Sequence, residues 1–96
     1  MTSKQRAYLK SMASGIDAIF QVGKASLTPE LVTGVSEALE KREIIKLSVL
    51  KNCFDDPKEI AEILAERTRS EVVHVIGKKI VLYRPSKKNP KIHLPD

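Results

Sequence analysis

Aromatic residues make up only 4% of this 96-residue chain, and cysteine occurs once. The first shortage means that the core must be built from Ile, Leu, Val and Ala. The second excludes an intramolecular disulfide, because Cys53 has no partner. No apolar run approaches the roughly 20 residues that a membrane span needs. The opening Met1-Thr2-Ser3-Lys4-Gln5-Arg6 leads into no apolar signal segment. These absences favour the cytoplasm and argue against membrane attachment. The length suits one domain, and a hydrophobic content of 42% is ordinary for a globular chain.

Motifs for catalysis and metal binding are also missing. A nucleotide-binding P-loop needs a glycine five positions before its Gly-Lys pair and a Ser or Thr directly after it. Gly23-Lys24 is the Gly-Lys pair here, but positions 18 and 25 are both alanine. No Gly-x-Gly-x-x-Gly occurs. His74 and His93 are the only histidines, and neither has cysteines or acids at metal-ligand spacing. Cys53, ahead of Phe54, reads as a small buried apolar side chain. The acids fall on helix surfaces and form no pair suited to acid–base work. The expectation is a protein that is not an enzyme and carries no cofactor and no metal.

What the chain does have is basic charge in one place. Lys and Arg total 17 against 12 Asp and Glu, a net +5. Over residues 1–77 the two signs cancel, at 11 each. Residues 78–96 hold Lys78, Lys79, Arg84, Lys87, Lys88 and Lys91 against Asp96 alone. Such a cluster suits a polyanion, most often nucleic acid, or serves as solvated charge. The count does not choose between them.

The most informative stretch is Phe20-Gln21-Val22-Gly23-Lys24-Ala25-Ser26-Leu27-Thr28-Pro29. It reads as a strand, a tight loop and a helix start. Thr28 suits the N-cap, Pro29 the first helical position, and Glu30 the positive end of the helix dipole. A loop of this kind gathers backbone N–H groups and one cation at a spot suited to phosphate. Taken by itself, Lys24 reads sooner as a solvent-exposed loop lysine beside a glycine that turns the chain; the other basic residues shift the balance.

The remaining elements follow from periodicity and punctuation. Residues 3–14 are expected as a helix with Ser3 as cap, and Leu9, Met12 and Ala13 on one side. Ile16 to Val22 is expected as a strand buried on both faces. Residues 29–42 form a second helix with a Leu31, Val32, Val35 and Leu39 stripe, and Gly34 there implies close packing on the sheet. In the strand 44–50, Ile45, Leu47 and Val49 share one face and Lys46 and Ser48 the other. Asp56-Pro57-Lys58-Glu59 opens an acidic third helix that fades near Ser70. Residues 71–76 and 79–84 form a hairpin about Gly77-Lys78, a link that suits a type II′ turn. Tyr83 is either an aromatic for stacking on a base or a half-buried strand residue. Residues 86–96, with Pro90 and Pro95, are expected to be a basic, flexible tail following a single domain over 1–85. The order α-β-α-β-α-β-β gives an α/β (α+β) fold with a four-stranded mixed sheet. Both strand–helix–strand units are expected to give parallel pairs.

Several stretches together resemble a known family. They are Val22-Gly23-Lys24, Leu27-Thr28, Ala38-Leu39-Glu40-Lys41-Arg42-Glu43-Ile44-Ile45-Lys46, and Val75-Ile76-Gly77-Lys78-Lys79-Ile80-Val81-Leu82-Tyr83-Arg84. In this order and spacing they are similar to the CRM domain (chloroplast RNA splicing and ribosome maturation) and its bacterial single-domain, YhbY-like form. The resemblance runs from about residue 3 to residue 85. It implies a fold similar to the C-terminal domain of translation initiation factor three, and RNA binding without enzymatic activity. It also implies association with precursors of the large ribosomal subunit, the role of the single-domain bacterial members. The multi-copy plant members assist group II intron splicing. One copy and no transit peptide fit the bacterial role.

The RNA-binding loop of that family, usually Gly-Lys-x-Gly-Leu-Thr, maps onto Gly23-Lys24-Ala25-Ser26-Leu27-Thr28. Ser26 replaces the second glycine, which would have allowed positive φ and a close approach to phosphate. The expected RNA contacts are therefore Gly23, Lys24, Ala25 and Ser26. Lys46, Lys51, Lys78, Lys79 and Arg84 extend the basic surface, and the tail lysines add non-specific attraction. The expected partner is ribosomal RNA in pre-large-subunit particles, met by a monomer, with contacts led by phosphate. The rival expectation is a protein-interaction module that docks on a ribosomal protein or assembly factor.

Overall fold

The computed structural model describes all 96 residues. Its elements are α1 (Ser3–Ala13), β1 (Phe20–Val22), α2 (Pro29–Arg42), β2 (Ile44–Val49), α3 (Pro57–Thr68), β3 (Glu71–Ile76) and β4 (Lys79–Tyr83). They follow the expected order and build one four-stranded mixed sheet, β1-β2-β4-β3.

Local chemistry sets the helix starts. α1 opens with a capping box on Thr2, not Ser3: the Thr2 hydroxyl accepts from the Gln5 N–H and the Gln5 side-chain Oε1 accepts from the Thr2 N–H, both at 3.1 Å. Thr28 accepts from the Leu31 N–H at 3.1 Å, and Asp56 from the Lys58 N–H at 3.1 Å. Each of these caps is followed by a proline in the first turn. At the hairpin, Gly77 has φ 56° and Lys78 is not left-handed, the pattern of a type II′ turn.

The pairing differs from expectation in two places. β1 and β2 are parallel neighbours joined through α2, as expected. β2 and β3 are not paired, because β4 lies between them and runs antiparallel to both. The reason lies in β4 itself. Ile80, Val81, Leu82 and Tyr83 are all buried, which requires cover on both faces and favours a central position. β3 is exposed at both ends and serves as an edge. Its bulge at Val73 frees carbonyls on Val72 and Val73, and both accept from the Arg6 guanidinium of α1.

β1 is the second difference. It is a three-residue edge strand with Gln21 exposed, not a seven-residue strand buried on both faces. Ile16 belongs instead to the apolar cluster under α1, so the chain between Gly15 and Ile19 serves as a connection.

The sheet has two unlike faces. α2 and α3 cover one completely, burying Val35, Leu39, Ile60 and Leu64 against Ile45, Leu47, Ile80 and Leu82. An ideal Cβ on Gly34 would lie 3.2 Å from the Phe20 ring, so this glycine lets α2 close onto β1. α1 covers only part of the other face, where Leu9 and Ala13 meet Ile44, Val73, Val81 and Tyr83. The half of that face nearer the Gly23 loop stays open.

Residues 86–96 form no helix or strand, but they are not free. Glu43 connects α2 directly to β2, has φ 68° and is only 1% exposed. Its carboxylate accepts from the backbone N–H groups of Ser86 (2.8 Å), Lys91 (2.7 Å) and Ile92 (2.9 Å). Glu40, one turn earlier, accepts from the Ser86 hydroxyl and the Lys87 N–H. Ile92 and Leu94 pack beneath α1, and Pro95 accepts from the Gln5 side chain. The expected flexible tail is thus a strap tied down by two carboxylates.

Candidate nucleic-acid interface

The loop between β1 and α2 is held from both sides. Before it, the Val22 carbonyl accepts from the Leu50 N–H at 2.9 Å, fixing the end of β1 to the end of β2. After it, Thr28 caps α2. Within it, the Gly23 carbonyl accepts from the Ser26 N–H at 2.9 Å, closing a turn with Lys24 and Ala25 at its exposed tip. The N–H groups of Lys24, Ala25 and Leu27 donate to nothing in the chain. Those of Gly23 and Thr28 are unpartnered too, and five free donors with an ammonium group, on a loop tied at both ends, can hold an anion. The first turn of α2 carries Glu30, which answers part of the helix dipole, so loop donors and lysines must do most of the holding.

Ser26 has φ 54°. The left-handed conformation that glycine would allow is therefore retained with a serine in place. Gly23 has no positive φ; an ideal Cβ there would meet Asn52 at 3.6 Å and Leu50 at 3.8 Å, ordinary contacts.

The fold brings further lysines to the same end of the sheet. Lys51 lies in the exposed turn after β2, which is closed by the Cys53 N–H donating to the Leu50 carbonyl at 3.0 Å. Lys78 occupies the β3–β4 turn, and its carbonyl accepts from the Val49 N–H at 2.7 Å. The Gly23 loop, Lys51 and Lys78 therefore share one edge.

Lys46 and Lys79 form a second group on the open half-face. The Lys79 ammonium donates to the Ser48 hydroxyl. With Lys10, Ser14 and His74 they line a cavity of about 260 Å³ floored by Ala13, Ile76 and Val81, and no acid lines it. The sequence reading missed Lys10 and His74. Lys10 follows buried Leu9 on the flank of the helix stripe, a position that periodicity could have marked. His74 could not be placed that way, because the Val73 bulge shifts the alternation of β3.

Arg84 must be removed from this surface. Its side chain is 13% exposed and donates to the Ser36 hydroxyl (3.0 Å), the Ser36 carbonyl (2.7 Å) and the Thr68 carbonyl (2.7 Å), locking α2 to the end of α3. Tyr83 is 5% exposed in the core under α1, so it offers no stacking face. Burial, and then the nearby Glu43 carboxylate, push its phenol above the usual range. Cys53 is buried, as expected.

Fold and surface together define a small α+β domain whose cations gather at one edge and on half of one sheet face, a form suited to a polyanion. The chain belongs to the CRS1/YhbY (CRM) domain family, whose model matches residues 1–84. It is 46% identical to the probable RNA-binding protein YqeI of Bacillus subtilis (strain 168), over 99% of both chains. It is 30% identical to a protein of Haemophilus influenzae named RNA-binding protein, over 99% of this chain and 95% of that one. The solution structure of the hypothetical protein SAV1595 from Staphylococcus aureus superposes with a TM-score of 0.82, at 53% identity over 99% of both chains. No helix is long and apolar enough to cross a membrane.

Proposed function

We propose that this chain binds RNA through the edge built by Gly23, Lys24, Ala25 and Ser26 with Lys51 and Lys78, and that Lys46 and Lys79 extend the contact over the open half-face. Its client is ribosomal RNA during assembly of the large ribosomal subunit. The observation that carries the reading is the loop, tied at both ends, with five unpaired N–H donors around Lys24, reinforced by lysines from two other turns. The names of its relatives agree with RNA binding, and the ribosomal client follows from the family resemblance. The donors reach phosphate and sugar more readily than base edges, so sequence preference is weak.

Binding to a large-subunit ribosomal RNA fragment should weaken with salt, with a slope of about −0.7 per phosphate engaged on a single strand. Lys24→Ala is expected to lower affinity and flatten that slope without changing the melting temperature. Arg84→Ala should do the reverse, lowering the melting temperature and leaving the salt slope intact. Equal affinity of Lys24→Ala and wild type at moderate salt would remove the loop from the interface. Crosslinking in cells tests the client: a footprint confined to large-subunit ribosomal RNA is expected, and crosslinks spread over unrelated RNAs would reject the assembly role.

A further inference from the structure

Phe54 is 92% exposed, far more than any other large apolar side chain in the molecule. It follows Cys53, which points into the core. The buried neighbour anchors the loop while Phe54 projects from it, so its exposure does not come from a loose segment. The same loop holds Lys51 and Asn52, and Asn52 lies directly beside Gly23. Leu50, also exposed, borders Gly23 as well, and Ile76, 61% exposed, adjoins the Lys78 turn. Apolar surface is therefore interleaved with Lys24, Lys51 and Lys78 on the edge already described.

We propose that Phe54 is a stacking platform for a nucleobase of single-stranded RNA whose phosphates lie on the Gly23 loop. This rests on the RNA-binding reading above and adds the element that phosphate contacts lack, a surface for the base itself. A flat ring next to a phosphate cradle is the pairing that single-strand binders use, because every base has a face to stack. The charge around Phe54 gives the arrangement a direction. Asp55 and Asp56 follow it at the start of α3, and the third helix continues acidic, so a phosphate is repelled on that side. The base must sit on the ring with its backbone turned toward Lys51 and Lys24. Of the other three aromatics, Tyr83 is buried and Phe20 is packed under α2; Tyr8, 43% exposed, lies on α1 and does not line the cavity between Lys10, Lys46 and Lys79.

The probe is a 12-nucleotide single-stranded RNA and the same strand with abasic riboses. Phe54→Ala should weaken binding to the intact strand on the order of tenfold while keeping the salt slope, because no phosphate contact is lost. It should bind the abasic strand as wild type does. The chain has two tyrosines but no tryptophan, so Phe54→Trp supplies a single tryptophan that red-edge excitation reads selectively. Its emission should be quenched by the intact strand and not by the abasic one. Because Phe54 buries almost nothing, both variants should melt with wild type. Unchanged affinity in Phe54→Ala beside weakened binding in Lys24→Ala would overturn the stacking, keep the RNA reading, and leave this ring to a protein partner. No binding of either strand by wild type would overturn both.

Discussion

Ser26 shows how one backbone angle can outlast a change of side chain. A non-glycine residue in the left-handed region carries a penalty of roughly 1 kcal/mol from the Cβ–carbonyl crowding. The loop accepts it because the turn to Gly23 and the Thr28 cap fix the chain on both sides. Ser26→Gly should therefore stabilise the fold by up to about 1 kcal/mol, seen as a higher urea midpoint at unchanged m-value. A lower midpoint would show that the serine hydroxyl contributes more than the strain removes. Serine at this position was readable from the sequence, but its φ was not, since it is imposed by the elements on either side. Arg84 misled the reading, and Glu43 drew no attention as a buried carboxylate, for a related reason. Each looks like a surface charge in its own segment, and each is claimed by a partner more than 15 residues away.

At the scale of elements, the strap over residues 86–96 depends on two carboxylates. The Ser86 hydroxyl and then the Lys87 N–H hold Glu40 below its usual range. For Glu43, burial pushes upward, but the N–H groups of Ser86, Lys91 and Ile92 outweigh it and leave the carboxyl lowered. A lowered carboxylate contributes stability above its unfolded value, and that contribution is lost as pH falls through the folded one. The strap should thus be seated at neutral pH and release only in acid below the usual glutamate range. Backbone relaxation measured by NMR should show residues 86–96 becoming mobile before the sheet melts. A strap that stays rigid until global unfolding would mean that Ile92 and Leu94, not the carboxylates, hold it. The three helices and the hairpin were legible because caps, stripes and turn residues act within a few positions. The length of β1 and the insertion of β4 were not, because both follow from what covers each face of the sheet, and that is decided by distant segments.

For the whole molecule, the placement of charge matters more than its total. Lys24, Lys51 and Lys78 occupy one end of the sheet. Lys87, Lys88 and Lys91 are strapped near Glu43, at the start of β2 and so at the opposite end. The sequence placed the whole basic excess in residues 78–96, and the fold divides it between two ends. Two triple variants with the same net charge should then behave differently. Replacing Lys24, Lys51 and Lys78 by glutamine should flatten the salt dependence by about 2 in slope, whereas replacing Lys87, Lys88 and Lys91 should alter it far less. Equal effects would mean that RNA responds to net charge and not to the edge.

The contact between Gln5 and Pro95 brings the two ends of the polypeptide side by side, away from the lysine edge. A fused partner, an affinity tag or a second copy joined at either end would extend from the back of the molecule and leave the loop unobstructed. Modules of this shape can be strung in series, each free to grip its own stretch of the same strand, without any change to the fold.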